Sequence, residues 1–477
     1  MTPDLEEARR HPTRTLLILA GATMAFALAQ TMVVPALPEI QHKFGASPGD
    51  ATWVLTAFLL TASVATPLLG RLGDMYGKER LLLVTLGFFG VGGVIAALAD
   101  SLGVLIAARA VQGIAGALFP LSIGIVRDEF PREKIATGIG TISATFGIGS
   151  GAALVIAGVL VDHAGVGSIF WLSSAVTALA AFAAWRYVPE SPVRVRARVD
   201  VGGALLLSVA LLALLVGVSQ GNAWGWGSGR VLGLFAVALV VGVGFVLFER
   251  RTTDPIVDMR LMARRTVWTT NAVAFAVGFA MFGSFILIPQ LVQTPSAAGY
   301  GFGASVTAAG LFLLPSSVVM LFAGPLSGRL GNRFGSKIPL AMGTLAAALA
   351  YFWLAAAHGA KIDIYLGSTV LGLGIGLAFA AMANLVVQAV PQEQTGVATG
   401  INAIMRTIGG AIGAQLAAAL VTADTVSLGD LVLPAETGYT EAFAMSGVGA
   451  VVALLATLAV PGLRGVRPRR TVATEAA

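Results

Sequence analysis

Apolar runs of about 18 residues or more recur along nearly the whole of this chain, and no other feature limits its fold so tightly. A bilayer core about 30 Å thick takes roughly 20 apolar residues per helix, and inside it each backbone amide must find its partner within the segment. Spans are expected near 14–37, 51–69, 81–99, 103–126, 135–161 and 166–188, then 201–218 and 231–248, then 267–291, 304–327, 338–357, 363–388, 396–421 and 441–461. The chain therefore reads as an all-α polytopic membrane protein with 14 transmembrane helices. Composition agrees, because charged residues make up 11% of it against about 25% in soluble proteins. The first run is too long, and has too many successors, to be a cleaved signal.

The loops test this count, since one missed span would place every later basic loop on the wrong side. With both termini cytoplasmic, the inward segments hold 25 of the 30 Lys and Arg residues. Outward loops hold only Lys43, Arg230 and Lys361, and the last of them is acidic, with Asp424, Asp430, Glu436 and Glu441. Abundant Ala and a preference for Arg over Lys point to a GC-rich bacterial genome, and so to an inner (plasma) membrane.

The chain also repeats itself. Pro67 opens PLLGRLGDMYGKER, and 258 positions later Pro325 opens PLSGRLGNRFGSK, with Asp74 in the first copy and Asn332 in the second. Each phrase joins the second span of a six-span half to the third. A second echo, FPREKIATGIG from Phe130 and VPQEQTGVATGI from Val390, opens the fifth span of each half. The expected division is a tail over 1–13, a six-helix half over 14–188, two added helices with linkers over 189–266, a second half over 267–461 and a basic tail over 462–477. Two parallel, pseudo-symmetric halves in a 6+2+6 arrangement follow; such repeats build carriers whose substrate sits between the halves near the midplane.

GRLGDMYGKER resembles the cytoplasmic signature of the major facilitator superfamily, carried here by Gly70, Leu72, Asp74, Gly77, Lys78 and Arg80. LIAARAVQGIAGALFP, with Arg109, Gln112 and Gly113, resembles the family's fourth-span pattern, and IFWLSSAVTALAAFAAWRYVPES resembles the end of its sixth span. With fourteen spans, the chain is similar to the drug:proton antiporter branch. The resemblance implies the major facilitator fold, export of hydrophobic drugs or antibiotics by alternating access, and coupling to protons. It also implies that Gly70, Asp74, Gly77, Lys78 and Arg80 form a conformational gate in which Asp74 uses ion pairs and a helix dipole. Two positions depart from that branch: Ala29 stands where its first span carries an aspartate, and Leu154 where its fifth carries a proline. A proton-independent or symporting carrier of a neutral or anionic metabolite stays open on those grounds.

Arg109 is costly within a span, about 2.5–3.5 kcal/mol on insertion scales, and is expected to face a cavity or to pin carbonyls or Gln112. Arg406 raises the same alternatives in the second half. Gln30, Asn271, Gln290, Asn384, Gln388, Asn402 and Gln415 suit a ligand or a neighbouring helix, with the helix the commoner partner for any one of them. All 24 acids fall in tails, loops or span ends, so proton coupling would rest on Asp74, Asp128, Asp100 or Asp162. With no cysteine and four histidines confined to tails and loops, no metal, cofactor or catalytic constellation is expected. The glycine clusters in spans lack the lysine and hydroxyl of a phosphate loop. A monomer handling a small molecule and protons in the bilayer is expected, with no nucleic acid.

Overall fold

The computed structural model describes residues 12–191, 193, 198–428 and 431–461. Nearly all of both expected tails, with Arg194, Arg196 and Asp430, lies outside the described residues, as does the side chain of Asp162. Among the described residues, 14 helices are long and apolar enough to cross a membrane. They are α1 (Pro12–Phe44), α2 (Pro48–Tyr76), α3 (Lys78–Ala97), α4 (Leu102–Glu129, tightened to a 3-10 turn at Ile114–Ala117), α5 (Arg132–Ala164), α6 (Gly167–Tyr187), α7 (Val201–Trp224), α8 (Gly229–Glu249), α9 (Arg265–Gln293), α10 (Val306–Phe334), α11 (Lys337–Ala356), α12 (Lys361–Ala389), α13 (Thr395–Ala423) and α14 (Glu436–Ala459).

Helices outrun the apolar stretches at one end of the bundle. The expected span 51–69 is a helix to Tyr76, and 103–126 is a helix to Glu129. The apolar runs stop at Arg71 and Arg127, where a chain would ordinarily meet water. Helical hydrogen bonding continues past both, because the charges that follow, Asp74 and Asp128, are buried against other helices. The signature phrase is thus helix on both sides of one residue, Gly77, whose φ of 114° no side chain adopts without strain. A second departure from an all-α chain is a hairpin, β1 (Thr425–Leu428) paired antiparallel with β2 (Leu431–Pro434) between α13 and α14. Thr and Val favour extended backbone there, and the Tyr300 hydroxyl from the α9–α10 loop donates to the Pro434 carbonyl.

Helices α1–α6 pack on one another, as do α9–α14, and the two sets meet chiefly through α5 on α10 and α2 on α13. Backbones touch at these seams because glycines allow it: a Cβ on Gly70 would lie 2.7 Å from the Gly396 carbonyl, and one on Gly328 2.5 Å from that of Ala136. Helices α7 and α8 pack on each other, and α7 also packs on α2 and α13. Leu60, Leu207, Leu211, Leu215, Ile404 and Ile408 form one apolar cluster there. This layout fits six plus two plus six, with the added pair lying along the α2/α13 seam.

Candidate functional site

The signature side chains collect at the end of the bundle where the basic loops lie. Asp74 is fully buried. Its carboxylate accepts hydrogen bonds from the backbone N–H of Gly396 at 3.1 Å and Val397 at 3.4 Å, the free first turn of α13 in the opposite half. A helix N-terminus presents unpaired donors and a positive dipole end, so a carboxylate is the group it holds best. On its own side Asp74 meets Lys78 Nζ at 3.2 Å, one turn on and also fully buried. Lys78 reaches Asp128 at 2.7 Å as well. Asp128 in turn accepts from Ser191 Oγ and, across the seam, from Gln392 Nε2 at 2.9 Å.

Four separated segments therefore meet. The chain after α6 brings Glu190 over Gly77, where any Cβ would strike its carboxylate. Glu190 also accepts from the Glu79 backbone N–H at 3.3 Å. Arg80 stands apart: its side chain is 66% exposed and sits 3.5 Å from Glu190, a partner in its own half. Arg127 does more across the seam, donating to the carbonyls of Val390 at 2.7 Å and Pro391 at 3.1 Å and to the Thr395 hydroxyl at 2.6 Å. At the symmetry-related seam Asn332 donates to the Glu133 carbonyl at 2.8 Å. The two copies of the phrase therefore sit alike but bond with opposite polarity, an acid to a helix's N–H groups and an amide to a carbonyl. Sequence reading points to Asp128 only as an edge acid, and misses Arg127, Glu190, Ser191, Gln392 and Gly396; the second echo, which opens α13 at this place, is the one available signal.

Further in lies a cavity of about 300 Å³ between the halves, lined from α1, α2, α4, α5, α7, α9 and α13. Gln30 and Arg109 line it with Phe58, Phe146, Phe282 and Gln415. Val34 and Thr52, near the end of the bundle opposite the seal, are exposed members of its wall. Arg109 is fully buried. It donates to Gln112 Oε1 at 2.8 Å, the Val54 carbonyl at 3.2 Å and the Ala29 carbonyl at 3.4 Å, and its guanidinium lies 4.1 Å above the Phe58 ring. Both sequence alternatives for Arg109 thus coexist, a pin and a cavity wall. Gln112 is buried behind it.

Arg406 does not join that lining. It lies 4.3 Å from the Phe379 ring and 5.7 Å from the Phe119 ring, and Phe119 packs edge-on against Phe146 of the cavity wall. Asn402 and Asn384 serve as helix ties, Asn402 to Asn271 Oδ1 at 3.0 Å and Asn384 to the Ala136 carbonyl at 3.3 Å. Helix α7 contributes Leu215 and Ser219 to the cavity, and Asn222 donates to Gln415 Oε1 at 2.8 Å. Among the described residues, no cluster of His, Asp and Glu could hold a metal.

The family model for the Major Facilitator Superfamily matches residues 19–414. Among curated relatives, the Tetracenomycin C resistance and export protein of Streptomyces glaucescens is 31% identical over 87% of this chain and 76% of its own length. Multidrug resistance protein Stp of Mycobacterium tuberculosis is 32% identical over 84% and 74%, and Multidrug export protein EmrB of Haemophilus influenzae is 27% identical over 84% and 78%. A solved structure described as the human organic anion transporter MFSD10 (TETRAN) superposes with a TM-score of 0.67 over 97% of this chain and 100% of that one. At 15% identity that likeness shows the fold alone.

Proposed function

Because this chain belongs to the major facilitator superfamily, and its relatives are named as antibiotic and multidrug exporters, we propose that it exports hydrophobic small molecules by alternating access. One observation carries the reading: a central cavity shared by both halves, with the halves hydrogen-bonded across one end of it. By the positive-inside rule that end is cytoplasmic, and both termini with it. The captured conformer is then the one closed to the cytoplasm, and transport requires the Asp74 and Arg127 bonds to break so that the cavity can face the other way.

Coupling to the proton-motive force is part of the proposal. The groups available to take up or release a proton lie in the seal, Asp74 and Asp128 around Lys78, rather than in the cavity, whose described wall holds no carboxylate or imidazole. Protonating Asp74 removes its attraction to both Lys78 and the α13 N-terminus, and so would favour opening toward the cytoplasm. The six plus two plus six division is read here as two rocking halves with α7 and α8 riding on the α2/α13 seam.

The test is uptake of a fluorescent hydrophobic drug into proteoliposomes under an imposed pH gradient, with internal pH followed by a trapped dye. Gradient-dependent, saturable accumulation accompanied by proton counterflow supports the reading. Drug movement with no proton flux would leave a carrier coupled in another way, the alternative favoured by Ala29 and Leu154. No movement of any drug would refute export.

A further inference from the structure

We propose that the cavity selects lipophilic anions: molecules with an aromatic or aliphatic body and one carboxylate or phenolate-type group, drawn by the uncompensated charge of Arg109 with support from Arg406. This rests on the efflux reading above and assigns its substrate class.

Arg109 is the one charged side chain among the described residues that line the cavity. Each of its hydrogen-bond partners is a neutral oxygen, from Gln112, Val54 and Ala29, and one terminal nitrogen of the guanidinium has no partner at all. Among the described residues, no carboxylate approaches within ion-pair distance of it. Guanidinium stays protonated in proteins, so its charge must be met in some other way. Arg406 adds a second positive charge one aromatic layer away, through Phe119 and Phe146, with ring faces against its guanidinium.

A buried charge without a counter-ion is among the costliest features a fold can retain. Here the two arginines, one from each half, make the centre of the molecule positive while its walls are apolar. A ligand carrying a negative charge recovers that cost on binding; a neutral ligand does not, and a cation adds to it. The guanidinium is fully buried in the cavity wall, so its charge favours such a group through its positive field, while Phe58, Phe146, Phe282 and Leu59 take the body. The choice also bears on energetics. An anion leaving a cell that is negative inside moves down the electrical gradient, so its export does not require a carboxylate in the cavity.

Ala29 supplies a sharp control. Its carbonyl accepts from Arg109, so Ala29→Asp adds a negative charge on the very residue bonded to the guanidinium.

The experiment compares three probes of one shape, 2-naphthoate, 2-naphthylmethanol and (2-naphthylmethyl)trimethylammonium. Binding to purified full-length protein is measured by calorimetry, and efflux from proteoliposomes under a potassium-diffusion potential. The expected result is naphthoate binding at least about tenfold tighter than either of the others, its efflux speeding up when the exporting side is made negative. In Arg109→Gln, and likewise in Ala29→Asp, the preference falls to within about twofold. Arg406→Gln is a second variant, expected to lose part of the preference, should Arg109→Gln not purify as a single species. Equal or tighter binding of the ammonium or alcohol by the wild type overturns the inference, as does a naphthoate preference that survives both arginine substitutions. Transport of the ammonium without naphthoate leaves the export reading standing and removes this one; tight, arginine-dependent naphthoate binding with no flux does the reverse.

Discussion

Asp74 and Asn332 occupy matching places in a repeated phrase, yet only the acid can use the positive end of a helix. Replacing it by asparagine keeps shape and one acceptor oxygen but gives up the charge, a loss of about 0.3–2 kcal/mol for a carboxylate at a helix N-terminus. Since carrier states differ by only a few kcal/mol, Asp74→Asn is expected to populate the form open at the basic end. Maleimide labelling of a single cysteine placed at Ala136, whose carbonyl packs against Gly328, reads this directly in a chain with no native cysteine. Faster labelling in Asp74→Asn is expected; an unchanged rate would remove Asp74 from the gate. Gly70→Val tests the same seam by steric means, because its Cβ would enter the Gly396 carbonyl, and overpacking of about 1–3 kcal/mol should also speed labelling. Lys78 and Arg80 separate cleanly. Removing Lys78 strands Asp74 and Asp128 without their buried counter-ion, at about 3–5 kcal/mol, so Lys78→Met should lower the unfolding temperature in detergent sharply. Arg80→Ala breaks a surface pair worth at most about 1 kcal/mol and should leave that temperature nearly unchanged.

At the scale of elements, α7 is more than a spacer between two halves. Leu215 and Ser219 put it in the cavity wall, and the Asn222–Gln415 hydrogen bond ties it to α13. Leu215→Trp should therefore exclude bulky substrates while sparing small ones, raising KM for the larger by about tenfold as the pocket loses volume; equal effects on both sizes would place α7 outside the substrate path. That role is not legible in the sequence, because α7 is apolar on every side and offers no amphipathic stripe to say which face meets protein and which meets lipid. The number of spans is legible for the complementary reason: a bilayer demands long apolar runs, and hydropathy reports them whatever they pack against. Helix ends read short where charges begin, because the pairing of Asp74, Lys78 and Asp128 depends on segments distant in the chain, Lys78 bonding Asp128 on α4 and Asp74 bonding Gly396 on α13. Arg109 announces itself by being a charge within a span, whereas its relation to Phe58 and to the Ala29 carbonyl requires the fold.

For the whole molecule, two seams related by pseudo-symmetry, α2 on α13 and α5 on α10, hold one end shut around a shared cavity. The seams differ, with a carboxylate bonded to helix N–H groups at Asp74 and an amide bonded to a carbonyl at Asn332, beside close glycine contacts at both. A rigid-body exchange of which end is closed is the central claim, and the absence of cysteine makes it directly measurable. Spin labels at Tyr76→Cys and Glu393→Cys report the basic end from opposite halves, and labels at Glu39→Cys and Thr422→Cys report the other. Double electron–electron resonance on both pairs, with and without saturating substrate across a range of pH, is the most direct test. The account predicts two populations whose weights shift in opposite senses, the basic-end distance lengthening as the other shortens; distances that stay fixed, or that lengthen and shorten together, would contradict it.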